Sequence, residues 1–449
     1  MHWGVLVVDP ARGDTLYARN ADKLFMPASN QKLITGAAAL AQLGADYRFP
    51  TTLLARGAVR DGILEGDLVV RGSGNPTVST SMLGADALMP LRALSDSLRA
   101  HGITRVRGRV TAAPSPFTDA PHGFGWAWDD LDEPYSAGVD ALFFNEGYTQ
   151  VMVHAGAVVG DPVRAYTRPA ASYPTLIVRA RTVARAAAGA PVADSIAAVA
   201  AIRVGHDSSR AGVLVSGTIA AGDSVVAVIA FRNQSAAYVA ALDEVLRSSG
   251  IAIDGALADS TAGLDSIATM MSPPLRDILP FFEKPSQNQI GELLYKTLGL
   301  VRTGVGTADS ARAVVTRQLI EWGAPADGFA VRDGSGLSRH NYLSPRTVVT
   351  VLDAMRRSPD FRLYYEALPV AGVDGTIRNR MKGTPAEGNV HAKTGTLDKA
   401  RSLSGYVTTA DGHLLLFSAL ANNYTVPTRR VDQVSDAVAV RLASMRLDR

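Results

Sequence analysis

The chain has 449 residues, with 45 Lys and Arg against 42 Asp and Glu, a formal charge of +3 and 47% hydrophobic residues. That composition builds cores and excludes intrinsic disorder, the length allows about three domains at about 150 residues each, and no apolar run reaches the ~18 residues of a membrane span. The small basic excess is scattered Arg, which excludes a clustered nucleic-acid footprint, and the absence of cysteine removes disulfides, thiolate nucleophiles and Cys-based zinc sites together.

The first elements follow directly from pattern. Val5 to Val8 and Thr15 to Tyr17 flank the turn Ala11-Arg12-Gly13-Asp14 and read as a β-hairpin. Met1-His2-Trp3 runs straight into this first strand with no basic, apolar and small-residue leader ahead of it, so no export signal is visible. Pro27 precedes Ser29, and Leu33, Ala37 and Leu40 follow at helical spacing until Gly44 supplies a stop. From about residue 51 the pattern turns to short β-like runs: Leu68 to Val70, Arg107 to Thr111, Val151 to Val153, Thr175 to Val178, Val213 to Ile219 and Val225 to Phe231. Residues 183–203 are Ala-rich and read either as a helix or as a loose surface segment. Tyr238 to Leu246 is helical again. After about residue 265 come the amphipathic helices Ile290 to Leu300, Ala311 to Trp322 and Pro345 to Arg357, the strands Ser402 to Val407 and Leu414 to Ala419, and a helix from Val431 to Met445. An α/β beginning and end around a β-rich middle indicate one domain interrupted by a large insertion.

Three short motifs carry chemistry. In Ser29-Asn30-Gln31-Lys32 the hydroxyl and the amine, three residues apart at a helix start, share one helical face. A serine attacks only when a base takes its proton, and a desolvated lysine with its pKa lowered can be that base. Chance alone supplies about half a match to Ser-x-x-Lys in a chain like this, so the motif needs company. Lys393-Thr394-Gly395-Thr396 provides it: a fixed cation, two hydroxyl donors for a carboxylate and a glycine that permits close approach, with only about 0.04 chance matches. Ser-x-Asn occurs as Ser73-Gly74-Asn75 and as Ser286-Gln287-Asn288. The first sits in a Gly-rich turn before Pro76 and reads as turn chemistry. The second opens a helix and is assigned to the site.

Ser-x-x-Lys, Ser-x-Asn and Lys-Thr-Gly in this order resemble the penicillin-binding proteins and serine β-lactamases. Asp333-Gly334-Ser335-Gly336-Leu337-Ser338-Arg339-His340-Asn341, Pro27 to Leu33 and Arg401 to Tyr406 are similar to one subgroup, the low-molecular-mass class C penicillin-binding proteins, a D-alanyl-D-alanine carboxypeptidase/endopeptidase family also called peptidase family S13. The 253 residues between Lys32 and Ser286 agree with the two extra domains that this family inserts there. The resemblance implies an α/β (α+β) penicillin-binding, serine β-lactamase-like transpeptidase domain, an antiparallel sheet flanked by helices, interrupted by a β-rich two-domain insertion. The expected bounds are 1–52 and 263–449 for the catalytic domain, 53–138 and 228–262 for inserted domain II, and 139–227 for inserted domain III.

The same resemblance assigns roles. Ser29 would attack the carbonyl between two terminal D-alanines, and Lys32 would be its base. Ser286 with Lys393 would return a proton to the leaving nitrogen, and Asn288 would hold the substrate amide. Thr394, Gly395 and Thr396 would bind the substrate, the two threonines taking its terminal carboxylate, with the N–H groups of Ser29 and Thr396 as the oxyanion hole. Trp126 and Asp129, in Gly125-Trp126-Ala127-Trp128-Asp129-Asp130, resemble the family's Trp-rich segment and would receive a cationic side chain; buried aromatics at a domain junction are the competing reading. No metal or organic cofactor is implied, because the scattered histidines make no ligand set and the acyl-enzyme carries the chemistry. The implied partners are peptidoglycan stem peptides ending in D-Ala-D-Ala, with β-lactam antibiotics as covalent inhibitors and neither nucleic acid nor a transmembrane segment. A D,D-endopeptidase action on cross-links is the companion activity; a serine β-lactamase and a non-catalytic peptidoglycan-binding protein are the alternatives. Such a substrate implies a periplasmic or extracytoplasmic location, and hence an N-terminus that is missing or trimmed here.

Overall fold

The apolar run at the N-terminus becomes an inner strand of a five-stranded sheet. The computed structural model describes residues 1–82, 84, 86–185, 202–207, 212–256 and 263–447. They form two units, one of Met1–Phe49, Pro116–Trp126 and Ser272–Arg449, the other of Pro50–Ser115 and Ala127–Met271.

In chain order the main elements of the first unit are β1 (His2–Asp9), β2 (Asp14–Arg19), α1 (Gln31–Leu43), α2 (Leu275–Glu283), α3 (Asn288–Thr303), α4 (Ala308–Glu321), α5 (Pro345–Arg356), α6 (Phe361–Ala367), β3 (His391–Leu397), β4 (Ala400–Thr408), β5 (Leu414–Asn422) and α7 (Thr428–Ala443). The sheet runs β2-β1-β5-β4-β3, antiparallel throughout. Successive strand residues point to opposite faces, and here both faces are covered. Val5, Val7, Leu415, Phe417 and Ala419 share a core with Ala439 and Leu442 of α7, while the intervening Leu6, Leu416 and Leu420 are buried too. Tyr406 of β4 donates its hydroxyl to Leu352 O of α5 at 2.8 Å. The hairpin and C-terminal elements lie where the pattern put them, the strands extended by up to three residues at an end and the last helix starting three residues earlier and ending two residues sooner.

α1 is the centre of this unit. Every residue from Gln31 to Leu40 is buried, as a helix apolar on all sides must be. The run Gly36-Ala37-Ala38-Ala39 keeps its surface thin enough for α3, α5 and α2 to pack around it. Gly44, at φ +86°, ends it as expected.

In the second unit two hydrophobic cores are separate. One gathers Leu53, Leu68, Val70, Leu91, Leu94, Leu98, Leu142, Phe144, Tyr238 and Leu242 among others; the other gathers Val151, Val153, Val163, Val213, Val215, Ile219 and Ile229. Two expected strands are interrupted. Arg107 to Thr111 is instead the pair Arg105–Val106 and Val110–Ala112, in different sheets, because Gly108 donates its N–H to Gly66 O at 2.9 Å and the chain crosses there from one sheet to the other. Val213 to Ile219 is broken at Gly217, φ +98°, into Val213–Ser216 and Thr218–Ala220. The β-rich middle also holds a helix, Met89–Ala100, whose Leu91, Leu94 and Leu98 give it one apolar face. Residues 186–201, most of the Ala-rich segment, lie outside the described residues.

The unit bounds differ from the expected ones in two places. Leu264–Met271 pairs antiparallel with Pro50–Arg56, so both crossing strands stay with the second unit. Residues 116–126, expected in inserted domain II, belong to the first unit. Lys296 of α3 binds the Asp119 carboxylate and donates to Ala120 O at 2.8 Å, and Asp119 Oδ2 accepts the first-turn N–H of Ala308 in α4 at 2.7 Å. Ser73-Gly74-Asn75 is a turn, as read: Gly74 has φ +90°, and Asn75 Oδ1 accepts from Thr77 N and Oγ1. Among the described residues no helix is long and apolar enough to cross a membrane, and no group of three or more acidic or histidine side chains could hold a metal ion.

Candidate active site

Ser29 stands in the 3-10 turn Ala28–Asn30 that leads into α1. Ala28 is held at φ +49°, a left-handed conformation that costs a non-glycine residue about 1 kcal/mol. The surrounding chain holds it there. Ser402 Oγ donates to Pro27 O at 2.8 Å, and Asn30 Nδ2 donates to Lys393 O at 2.8 Å, tying the turn to β4 and β3.

One turn on, Lys32 is fully buried, and its Nζ lies 3.0 Å from Ser29 Oγ, 2.6 Å from Asn288 Oδ1 and 2.7 Å from Ser335 O. Two of these neighbours, an amide oxygen and a backbone carbonyl, can only accept. A neutral amine has two protons for them and one lone pair left, which faces the one of the three able to donate, the Ser29 hydroxyl. Burial pushes the Lys32 pKa down to about 7, with the nearby Lys393 ammonium adding to the fall and Glu283, Asp333 and Glu292 opposing it. Above about pH 7 the amine is therefore free to take the serine proton.

The acceptor Ser335 O is set by a buried loop. Asp333 accepts from Gly336 N at 2.8 Å, Ser338 N at 2.6 Å, Asn341 Nδ2 at 2.6 Å and Trp126 Nε1 at 2.9 Å. Glu292 of α3 accepts from Ser335 N at 2.8 Å and Gly334 N at 3.3 Å, and burial followed by the Asp333 charge raises its pKa to about 8. Gly334 O accepts from Thr35 Oγ1 of α1 at 2.7 Å. The loop fits only because Gly336 is at φ +86°, where a methyl group would overlap Ala28 O. Gly336→Ala is expected to destabilise the fold by about 2–4 kcal/mol, through left-handed strain plus displacement of the Ser29 turn. Urea denaturation checks it, and an unchanged midpoint would refute the packing argument.

Ser286 lies in the link between α2 and α3 at φ +64°, its N–H donating to Glu283 O at 3.2 Å. Gln287 caps α3 by accepting from Ile290 N at 2.9 Å, which fixes Asn288 at the helix entrance with its amide oxygen on Lys32. Lys393 of the edge strand β3 is fully buried, and its Nζ donates to Thr394 O at 3.3 Å. Burial lowers its pKa to about 8, with Glu283 opposing. Thr394 Oγ1 donates to Thr376 Oγ1 at 2.7 Å, while Thr396 is exposed at the strand's outer edge. Gly395 allows β3 to lie against the Ser29 turn: a side chain there would meet Pro27 O and Ser402 Oγ.

The structure thus gathers Ser29, Asn288 and Ser335 O around the buried Lys32 amine, on which the Lys393 charge acts electrostatically, with Ser286, Thr394, Gly395 and Thr396 on the flanking segments. Trp126 belongs to the same unit, but its indole N–H is spent on Asp333 rather than left free. Asp129 is an exposed residue of the second unit, in the 3-10 turn Trp128–Asp130. Sequence reasoning missed Glu283, Glu292 and Thr376. The apolar company of Glu283 in Ile278-Leu279-Pro280-Phe281-Phe282-Glu283 was the available signal for the first of them.

The sequence profile described as the D-Ala-D-Ala carboxypeptidase 3 (S13) family matches residues 1–445. A D-alanyl-D-alanine carboxypeptidase of Actinomadura sp. (strain R39) is 35% identical over 458 residues, spanning 98% of this chain and 81% of that protein. The D-alanyl-D-alanine carboxypeptidase DacB of Haemophilus influenzae is 28% identical, spanning 90% and 82%. The crystal structure of penicillin binding protein 4 (dacB) from Haemophilus influenzae superposes with a TM-score of 0.81 at 25% identity, over 99% of this chain and 97% of that one.

Proposed function

The chain belongs to the D-Ala-D-Ala carboxypeptidase 3 (S13) family, and from that premise we propose how its residues carry out the reaction. It is a serine-type D-Ala-D-Ala carboxypeptidase, a hydrolase that acts on peptidoglycan and binds β-lactams covalently, with the penicillin-binding fold. The specific substrates are stem peptides ending in D-Ala-D-Ala, and the second activity is D,D-endopeptidase cleavage of cross-links.

Ser29 Oγ attacks the carbonyl of the penultimate D-alanine while its proton passes to Lys32 Nζ. The N–H groups of Ser29 and Thr396 hold the oxyanion. As the tetrahedral intermediate collapses, the C–N bond breaks and the departing nitrogen takes a proton delivered through Ser286 and Lys393. Asn288 positions both the amine of Lys32 and the substrate amide, and Thr394 and Thr396 take the terminal carboxylate beside the Lys393 charge. Water then hydrolyses the acyl-enzyme. In a penicillin the leaving nitrogen stays tethered to the acyl group, which is why that adduct outlasts the peptide's. The observation that carries this reading is the three-way contact of Lys32 Nζ, which leaves a lone pair only for Ser29.

Trp126 and Asp129 remain proposed contacts for a cationic stem-peptide side chain. The division of the second unit into two inserted domains is supported by its two separate cores, with Leu142 and Phe144 assigned to the first of them. A substrate of this kind places the enzyme outside the cytoplasmic membrane.

The test is to incubate the purified protein with excess benzylpenicillin and follow intact mass and drug loss, then assay D-alanine release from a D-Ala-D-Ala peptide. A one-to-one adduct together with D-alanine release is expected. Rapid drug loss without an adduct would instead indicate a β-lactamase, and neither adduct nor loss a binding protein.

A further inference from the structure

One charged group buried in the same space takes no part in these steps. Glu283, the last residue of α2, is 0% exposed, and no hydrogen-bond donor among the described residues reaches either carboxylate oxygen. A buried carboxylate without hydrogen bonds is costly unless an opposite charge faces it. Its seat is defined by α1: a methyl group on Gly36 would lie 2.8 Å from Glu283 Oε1. Gly36 is four residues after Lys32 and hence on the same helical face. Glu283 therefore has its Oε1 against the helical face that carries the base. Its own carbonyl also accepts the N–H of Ser286, so one residue touches the second motif by its backbone and the helix that carries the first by its side chain.

The surrounding charges make its purpose specific. Lys32 on α1 and Lys393 on β3 act on Glu283 electrostatically, and the buried Tyr364 of α6 feels its charge, donating its own hydroxyl to Leu33 O at 3.0 Å. Glu292 and Asp333 act on Lys32. Lys393, by contrast, has no carboxylate within ion-pair distance among the described residues, and Glu283 is the one acid that raises its pKa. Two ammonium groups side by side in a dry space would repel each other, and without a counter-charge both would lose protons.

We propose that Glu283 is a positioning residue that sets the protons of the site: its carboxylate is the built-in counter-charge that keeps Lys393 an ammonium while Lys32, in the same dehydrated space, serves as a free amine. This inference rests on the roles proposed above for Lys32 and Lys393. Burial raises the Glu283 pKa to about 7 against the opposing pull of Lys393 and Lys32, so the carboxylate forms over the same pH range in which Lys32 becomes neutral.

The test is the rate of acylation by benzylpenicillin, read by intact mass across pH, for the unaltered enzyme and for Glu283→Gln and Glu283→Asp. With the charge gone, both lysines lose protons more readily. In Glu283→Gln both limbs of the profile are expected to move to lower pH by about one unit, making acylation about tenfold slower on the alkaline side. Glu283→Asp keeps the charge and should restore the limbs. A residue that only supports the fold would lower the rate equally at every pH, so limbs that coincide with those of the unaltered enzyme would overturn the proposal. If Glu283→Gln fails to fold by circular dichroism, Gly36→Ala carries the test: it retains every charge, suits a helix interior, and displaces the carboxylate, so the alkaline limb must shift. An unaltered enzyme that is not acylated on Ser29 would sink the underlying reading of the site as well, whereas a normal Ser29 adduct with an unmoved Glu283→Gln profile sinks this proposal alone.

Discussion

Ser29→Ala is expected to gain no mass from benzylpenicillin and to lose D-alanine release by about 10⁴-fold or more, while folding normally. Of the three hydrogen-bond neighbours of Lys32 Nζ only Ser29 carries a hydroxyl; the other two are an amide oxygen and a backbone carbonyl, so neither can take over as nucleophile. Truncation removes the 3.0 Å hydrogen bond between Ser29 Oγ and Lys32 Nζ, and that amine keeps Asn288 Oδ1 and Ser335 O. The variant should therefore unfold within about 1 kcal/mol of the unaltered protein. Intact mass and urea denaturation together check it. An adduct that survives in Ser29→Ala would move the nucleophile elsewhere and remove the basis for every role assigned above.

For Lys32→Ala the expectation is an adduct of the same mass on the same serine, formed about 10³-fold more slowly at neutral pH. The pH profile separates loss of a base from loss of structure. In the unaltered enzyme the amine must be neutral to accept a proton, and burial brings that transition to about pH 7. Acylation should therefore rise with pH through about 7 and fall away below it, where the ammonium has no lone pair. In Lys32→Ala this rise is expected to vanish, leaving only the slow attack of the unassisted hydroxyl. A variant whose rate still climbs through the same pH would show that another group is the base, with Lys393, lowered to about 8, the first to examine.

The two lysines show how much of the site could be read before the fold was known. Ser29 to Lys32 and Lys393 to Thr396 are contiguous motifs, and the relative placement of residues within one turn or one strand is a local matter. Asp333 to Asn341 was legible for the same reason. Its glycine at 336 and its asparagine at 341 close a loop on their own Asp333. Thr376 was not legible, because nothing local distinguishes it, and the apolar neighbours of Glu283 in the sequence mark it for burial without showing what it faces. Glu283 matters through Gly36, 247 residues earlier in the chain, and Thr376 through Thr394.

Domain organisation divides along the same line. The β-rich interruption was visible as a change in period and punctuation. The return of residues 116–126 to the first unit carries no such mark, since it depends on Asp119 meeting Lys296 and the first turn of α4. Likewise, 107–111 had the composition of one strand, and it took the close approach of Gly108 to Gly66 to divide it between two sheets.

What the sequence by itself determined is the chemistry available: a serine with a lysine one turn on, a second lysine on a strand, a Ser-x-Asn at a helix entrance, the order that marks the family, and helices and strands whose periodicity is local. What only the tertiary structure decided is the state of those groups. Lys32 becomes a base because α1 is packed on every side and water is excluded from its amine. Ser286 and Ala28 take left-handed conformations because neighbouring chain holds them there. The physical reason is that hydrogen bonds within a motif depend on a few consecutive torsions, whereas desolvation and the balance of buried charge depend on every segment that closes around the site.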